Sequence, residues 1–227
     1  MLKRWEDLPD FMRIPQVRPY WESLGAKKGQ LFVKRVFDVA AAGMLLCILL
    51  IPMLVIAFMI KADSRGPVFY RHERVTAYGR RFRIHKFRTM VKDAERFGDT
   101  VTAADDARIT RMGKKLRRYK LDELPQLIDV LRGDMTFVGT RPEAVKYVEA
   151  YRPEYYATLL LPAGITSEAS IRFRNEEKLL SRSEDVDKAY LTRILPEKMK
   201  LNLASIRSFS LLKEFVTLLK TVFLVLR

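Results

Sequence analysis

A mostly helical α+β fold carried on a membrane anchor is what this sequence predicts, and three observations predict it. Val39–Ile60 is a run without a charged residue, long enough to cross a bilayer as a helix. Two short strand-like segments flank Tyr78-Gly79 in the manner of a small hairpin. Beyond the hairpin, apolar residues recur at helical rather than strand spacing.

The bulk composition limits what such a chain can be. Its 227 residues can bury one good core. The formal net charge is +15, from 42 Lys and Arg against 27 Asp and Glu. Such an excess calls for an anionic partner: nucleic acid, anionic lipid or a phosphate-bearing substrate. A hydrophobic content of 48% excludes a disordered basic tail. The single cysteine, Cys47, rules out an intramolecular disulfide and fits a reducing compartment. The apolar run has no small-residue cleavage site after it and is followed by Lys61 and Arg65, so it does not read as a secretory signal.

The elements follow in order. Residues 1–30 read as a partly ordered N-terminal extension with Pro9, Pro15 and Pro19. Residues 31–61 hold the membrane helix. Lys34 and Arg35 precede the apolar run and Lys61, Arg65, Arg71 and Arg74 follow it, so both ends favour the cytoplasmic side. Pro52 removes one backbone hydrogen bond near the middle. A helix that enters, breaks at Ile51-Pro52 and returns satisfies both facts; a kinked single span is the other reading, and the residues alone leave both open. Pro67–Tyr70 and Arg81–Phe87 are the strand candidates, with Phe82, Ile84 and Lys86 alternating against Arg83, His85 and Phe87. Residues 62–200 form the working part. In residues 201–227, Lys213, Lys220 and Arg227 recur on one helical face beside Phe209, Leu212, Phe215, Val216, Leu219, Val222 and Phe223. That pattern suits a helix at a lipid surface, or a terminal helix packed on a core.

The chemistry-bearing candidates lie at Leu121–Gly133. Leu124, Leu127, Ile128 and Leu131 share one helical face. Pro125 is tolerated only in a first turn, so the helix is expected to begin near Asp122, with Asp122 and Glu123 at its N-terminus. The helix dipole there favours ionised carboxylates. Adjacent helical positions point about 100° apart, which suits two separate roles better than one shared proton. Arg108, Arg111, Lys114, Lys115, Arg117, Arg118 and Lys120 lie just upstream. An ordinary acidic cap behind a solvated basic face is the plainer reading of the same residues. Arg71–Arg88 is basic with Tyr78, Phe82 and Phe87 interleaved, a pattern that fits nucleic acid or a bound diphosphate. The Walker, GxGxxG, HExxH and CxxC motifs are all absent. His72 and His85 lack metal-ligand spacing and read as structural or surface residues.

Five motifs in order then point to one family. KRVFD (Lys34–Asp38), GPVFY (Gly66–Tyr70), KFRTM (Lys86–Met90), RITRMGKKLRRYKLDELPQL (Arg108–Leu127) and VLRGDMTFVGTRPE (Val130–Glu143) resemble the bacterial sugar transferases, the monotopic phosphoglycosyl transferases that begin lipid-linked glycan assembly. The resemblance covers roughly residues 31–226. It implies that Asp122 is a nucleophile attacking the diphosphate of a UDP-sugar, releasing UMP and forming a phosphosugar–aspartate, and that a polyprenyl phosphate such as undecaprenyl phosphate accepts the phosphosugar. Glu123 is implied as a distinct helper, and Mg²⁺ as a cofactor held by Asp122 and Glu123 with substrate phosphates. Lys86, Arg88, Arg117 and Arg141 are the phosphate-contact candidates. The family also implies a re-entrant membrane helix, a catalytic part on the cytoplasmic face of the bacterial inner membrane, and contact with membrane lipid. A second copy of the chain and downstream glycosyltransferases are candidate protein partners; nucleic acid is not expected. Three departures bear on these expectations. Ile51 stands at the family's Ser before Pro52, Thr140 replaces a Pro next to Arg141, and AGITSEAS (Ala163–Ser170) lacks a Trp common there, with Arg172, Arg174, Glu176 and Glu177 following. The last region bears on sugar choice. The competing readings are a membrane-tethered module for nucleic acid or anionic lipid, and an inactive scaffold with the same fold.

Overall fold

The computed structural model of the chain describes residues 2–92, 94, 106–176 and 185–226. Glu177 and Arg227, named above, lie outside the described residues. The described chain runs α1 (Arg18–Gly25), α2 (Lys28–Asp63), β1 (Phe69–Val75), β2 (Arg81–Phe87), α3 (Arg111–Arg118), α4 (Gln126–Arg132), β3 (Met135–Val138), α5 (Val145–Glu149), β4 (Ala163–Thr166), α6 (Glu168–Arg172), α7 (Val186–Ala189), α8 (Leu195–Arg207) and α9 (Leu211–Leu226). Helices outnumber strands, as expected of a mostly helical α+β chain. β1 and β2 pair antiparallel, Phe69 opposite Phe87 and Val75 opposite Arg81. β3 and β4 form a separate parallel pair.

α2 organises the fold. Its 36 residues amount to about 54 Å of helix at 1.5 Å per residue. Pro52 lies inside it, so the expected break at Ile51 and Pro52 is not an interruption of the helix. One hydrogen bond is lost from a ladder that long apolar flanks propagate on both sides. One face of α2 meets the rest of the protein along its whole length. Leu31 joins the largest core cluster, Ala42 the second, and Met53, Ile56 and Ile60 the third. The other faces are bare: Phe32, Met44, Ile48, Leu54 and Val55 are exposed, with Ile51 73% and Phe58 75% accessible.

KRVFD forms the seam on that inner face. Lys34 Nζ donates to the Val138 carbonyl at 3.0 Å and lies 2.6 Å from Glu214 of α9. The Arg35 guanidinium donates to the Val130 and Leu131 carbonyls, the unpaired end of α4, where a cation also suits the helix dipole. Asp38 accepts from Thr136 Oγ1 at 2.5 Å. Buried polar groups of α2 are thus each partnered by the body they dock on.

The N-terminal extension, expected to be partly ordered, packs on the body: Leu8, Met12, Val17, Tyr20 and Leu24 are buried with Leu195, Met199, Leu203 and Ile206 of α8 in the largest core cluster. The C-terminal stretch is two helices rather than one, with Phe209 buried between them. α9 packs Leu211 and Leu218 against the core clusters and leaves Leu212, Phe215, Val216, Leu219, Val222 and Phe223 exposed.

Candidate active site

Three pieces of chain converge on Asp122 and Glu123. The first is the end of β2, which carries Lys86. His85 beside it is buried, its backbone N–H donating to Asp129 Oδ2 at 2.8 Å and its Nδ1 lying 2.5 Å from Asp129 Oδ1. Asp129 belongs to α4, so this pair fixes the register of β2 against the helix that follows the carboxylates.

The second piece is α3 and the turn after it. Thr110 caps α3 by accepting from the Gly113 N–H, and its own N–H donates to the Thr89 carbonyl at 3.0 Å. A Cβ at Gly113 would collide with that same carbonyl, so only glycine lets α3 sit this close. Arg117 Nε donates to Thr89 Oγ1 at 3.0 Å. Lys120 then adopts a left-handed conformation (φ 54°), which turns the chain. Leu121–Glu123 is a tight 3₁₀ turn and α4 starts only at Gln126. Asp122 and Glu123 therefore precede the helix proper, correcting the expectation that it begins near Asp122; Pro125 stands at its cap.

The third piece is the loop after β3. The Gly139 N–H donates to the Thr166 carbonyl and the Gly164 N–H to the Thr140 carbonyl. A Cβ on Gly164 would strike Gly139. This close crossing, with the Thr140 carbonyl as one of its acceptors, delivers Arg141.

The two carboxylates end in unlike surroundings. Glu123 Oε1 accepts from Lys86 Nζ at 2.9 Å and from Arg141 Nη2; Oε2 accepts from Arg141 Nη1 at 3.2 Å. Burial would raise its pKa, but Arg141 and Lys86 together overcome that and hold it well below the carboxylate range. Asp122 is 8% accessible, and its Oδ1 is buried with no hydrogen-bond partner. Burial raises its pKa, the Glu123 charge adds to the rise, and Lys86, Lys120 and Arg117 oppose it. Lys86 in turn is lowered by burial and by Arg141 against the pull of Glu123. One carboxylate is fully committed to two cations; the other keeps a buried oxygen with no partner.

The predicted cations fare differently. Lys86 and Arg141 clamp Glu123, and Arg117 is close enough to act on the charge of Asp122. Arg88 is not brought to the site. Its guanidinium donates to the carbonyls of Ser64 and Arg65 and to Ser64 Oγ, locking the exit of α2 to the end of β2, and Gly66 (φ 130°) leaves it room. For a divalent ion, the fit is narrow. Glu123 has both oxygens engaged, so Asp122 Oδ1 is the unpartnered donor of the pair. Among the described residues, no group of three His, Cys, Asp or Glu is placed to hold a metal. One carboxylate oxygen supplemented by substrate phosphates is a set that Mg²⁺ accepts, since it binds few protein ligands and keeps the rest from phosphate and water.

Sequence reasoning missed Gln126. It is fully buried, with neither its amide nitrogen nor its oxygen partnered, and it lies one turn after the carboxylates. It also missed Glu143, which anchors the Arg141 loop by accepting from Tyr190 at 2.6 Å and Lys198 at 3.2 Å. The signal for Glu143 was its place two residues after Arg141 in the quoted motif; its partners lie in α8 and the turn before it, too far in sequence to read.

Comparison with known proteins bears on this arrangement. The bacterial sugar transferase model matches residues 29–227. The chain is 34% identical over 194 residues to the UDP-N-acetylgalactosamine-undecaprenyl-phosphate N-acetylgalactosaminephosphotransferase of Aeromonas hydrophila, covering 84% of this chain and 43% of that one. It is 36% identical over 194 residues to the UDP-glucose:undecaprenyl-phosphate glucose-1-phosphate transferase of Caulobacter vibrioides, covering 83% and 68%. It is 32% identical over 217 residues to the undecaprenyl-phosphate galactose phosphotransferase of Salmonella typhimurium, covering 89% and 42%. The chain thus spans less than half the length of the first and third of these relatives.

Proposed function

The chain belongs to the bacterial sugar transferase family, and from that premise we propose that it moves a sugar 1-phosphate from a UDP-sugar to undecaprenyl phosphate, releasing UMP. The observation that carries the reading is the division of labour in the pair: Glu123 bound by Lys86 and Arg141, Asp122 buried with an unpartnered oxygen. The names of the relatives share the acceptor and differ in the sugar, which supports the acceptor class and leaves the sugar unassigned.

The chemistry follows from the residues. An Asp122 carboxylate oxygen forms a bond to the phosphorus that bears the sugar, and the bond from that phosphorus to the bridging oxygen breaks. UMP leaves with the bridging oxygen and its electron pair. The phosphate of the polyprenyl acceptor then attacks the same phosphorus and the acyl-phosphate bond to Asp122 breaks. A carboxylate is an established phosphoryl acceptor, and one kept partly desolvated attacks without first shedding a full hydration shell. Phosphoryl transfer needs positioning and charge neutralisation. Arg141 and Lys86 supply both at the edge of the site, held at fixed distance by Glu123. Mg²⁺, when bound at Asp122 with the substrate phosphates, would neutralise diphosphate charge.

The anchor suits a lipid acceptor. α2 is the one described helix long and apolar enough to cross a membrane. Because the folded body packs along α2 from Leu31 to Ile60, the helix cannot pass to the far side without carrying that body with it. This supports a monotopic arrangement, with outer faces of α2 and α9 in one leaflet; the basic residues flanking the apolar run on both sides favour the cytoplasmic side of the inner membrane for the carboxylates. Full-length protein in lipid, given undecaprenyl phosphate, Mg²⁺ and a panel of UDP-sugars, should release UMP and form a diphosphate-linked glycolipid with one of them. No UMP and no glycolipid from the whole panel would overturn the proposal.

A further inference from the structure

α3 presents a face that the proposed chemistry does not use. Arg111, Lys114, Lys115 and Arg118 are all exposed, and their i, i+3, i+4, i+7 spacing puts them on one side of the helix. Gly113 and Leu116 are buried on the other side, and Arg117 turns away to Thr89. Each of the four has two like-charged neighbours three or four residues away, an arrangement that works against the helix. Among the described residues none of them has a carboxylate within ion-pair distance; Arg118 lies over the Tyr119 ring at 5.5 Å.

The position of this face says what it meets. Leu116 packs in one cluster with Met53, Ile56 and Ile60 of α2, and Asp63, the last residue of α2, accepts from the Met112 N–H at 2.9 Å. On the outer side of the same stretch of α2, Leu54, Val55, Phe58 and Met59 are exposed. The exposed apolar surface ends at Met59, and exposed Lys61 and Arg65 follow. The four cations of α3 therefore lie beside the end of the apolar surface, the level at which hydrocarbon gives way to headgroups.

We propose that this face of α3 binds the phosphate groups of anionic phospholipids and so fixes the depth and tilt of the catalytic body over the membrane. The inference rests on the reading of the outer faces of α2 as lipid-embedded. Its test is the rate at which a water-soluble amine reagent modifies Lys114 and Lys115 of the full chain in vesicles, read by peptide mass. In phosphatidylcholine with roughly 30 mol% phosphatidylglycerol, both lysines should react about fivefold more slowly than in phosphatidylcholine alone, the factor corresponding to ~1 kcal/mol per basic residue at an anionic surface. About 1 M NaCl, with a Debye length of ~3 Å, should abolish the difference. Lys200 on α8 should react alike in both.

Equal rates for Lys114 and Lys115 in the two vesicles would overturn the proposal. So would protection in neutral vesicles by uridine diphosphate, which would give the face to the donor, or by single-stranded DNA, which would give it to nucleic acid. A chain that fails to stay with neutral vesicles would instead overturn the lipid-embedded reading of α2, and this inference with it. Absent UMP release beside intact lipid protection would fault the proposed reaction and leave the headgroup contact standing.

Discussion

Replacing Glu123 with Gln removes the one charge that holds Lys86 and Arg141 together, at a cost set by how deeply the three groups are buried. Breaking a buried ion pair by deleting one partner costs about 3–5 kcal/mol, because the remaining charge is stranded. Here the Glu123 side chain is 13% exposed, Lys86 23% and Arg141 34%, so water recovers part of the loss and about 2–4 kcal/mol is expected. For a chain of this length that is a fall in Tm of roughly 5–15 °C. The freed cations have a new anion within reach, since Asp122 Oδ1 has no partner. They should tie it down, and UMP release should fall by roughly 100-fold from the misplaced carboxylate. Thermal unfolding in lipid nanodiscs, with Glu197→Gln as the comparison, measures the first effect. The Glu197 pair with Lys200 is exposed and is worth about 0–1 kcal/mol. A Glu123→Gln shift no larger than that of Glu197→Gln would refute the clamp.

Three further outcomes are expected. Asp122 has a raised pKa in the folded chain against ~3.9 unfolded, so its ionisation destabilises the fold as pH rises through the raised value. Asp122→Asn should therefore unfold at a higher Tm than wild type at neutral pH, with the gain vanishing below about pH 4, while wild-type UMP release should decline as pH falls through that same raised value. Gln126→Met loses no hydrogen bond seen in the structure and should leave Tm unchanged or raise it; a fall of more than about 4 °C would mean that the amide has a partner, water included. Gly113→Ala should push α3 off the Thr89 carbonyl and lower Tm and UMP release together; a variant with wild-type values in both assays would show that the close approach is not needed.

Much of this arrangement was legible in the sequence, and the failures have physical causes. β2 appears with the expected bounds because its alternation is strong, whereas β1 is Phe69–Val75 rather than Pro67–Tyr70, because the polar stretch RHERV becomes strand only by pairing with β2. Arg88 shares the period-two face of Lys86 in the linear pattern, but the strand ends at Phe87, so the next residue swings toward Ser64. The helix start moved because a left-handed Lys120 and a 3₁₀ turn leave no mark in apolar spacing. Lys34, Arg35 and Asp38 read as membrane-flanking charges, while their partners, Val138, Val130 and Thr136, lie about a hundred residues away. The adjacency of Asp122 and Glu123 was visible; their unlike environments come from β2 and from the loop after β3.

The most direct test of the account is the mass of the protein itself. Full-length chain is incubated with the UDP-sugar it cleaves and Mg²⁺, with no lipid acceptor, and its intact mass is read beside the UMP formed. Wild type is expected to gain one phosphosugar, mapped to Asp122 and discharged when undecaprenyl phosphate is added, and Asp122→Asn to gain none. An adduct that persists in Asp122→Asn, or full glycolipid formation by that variant, would contradict it.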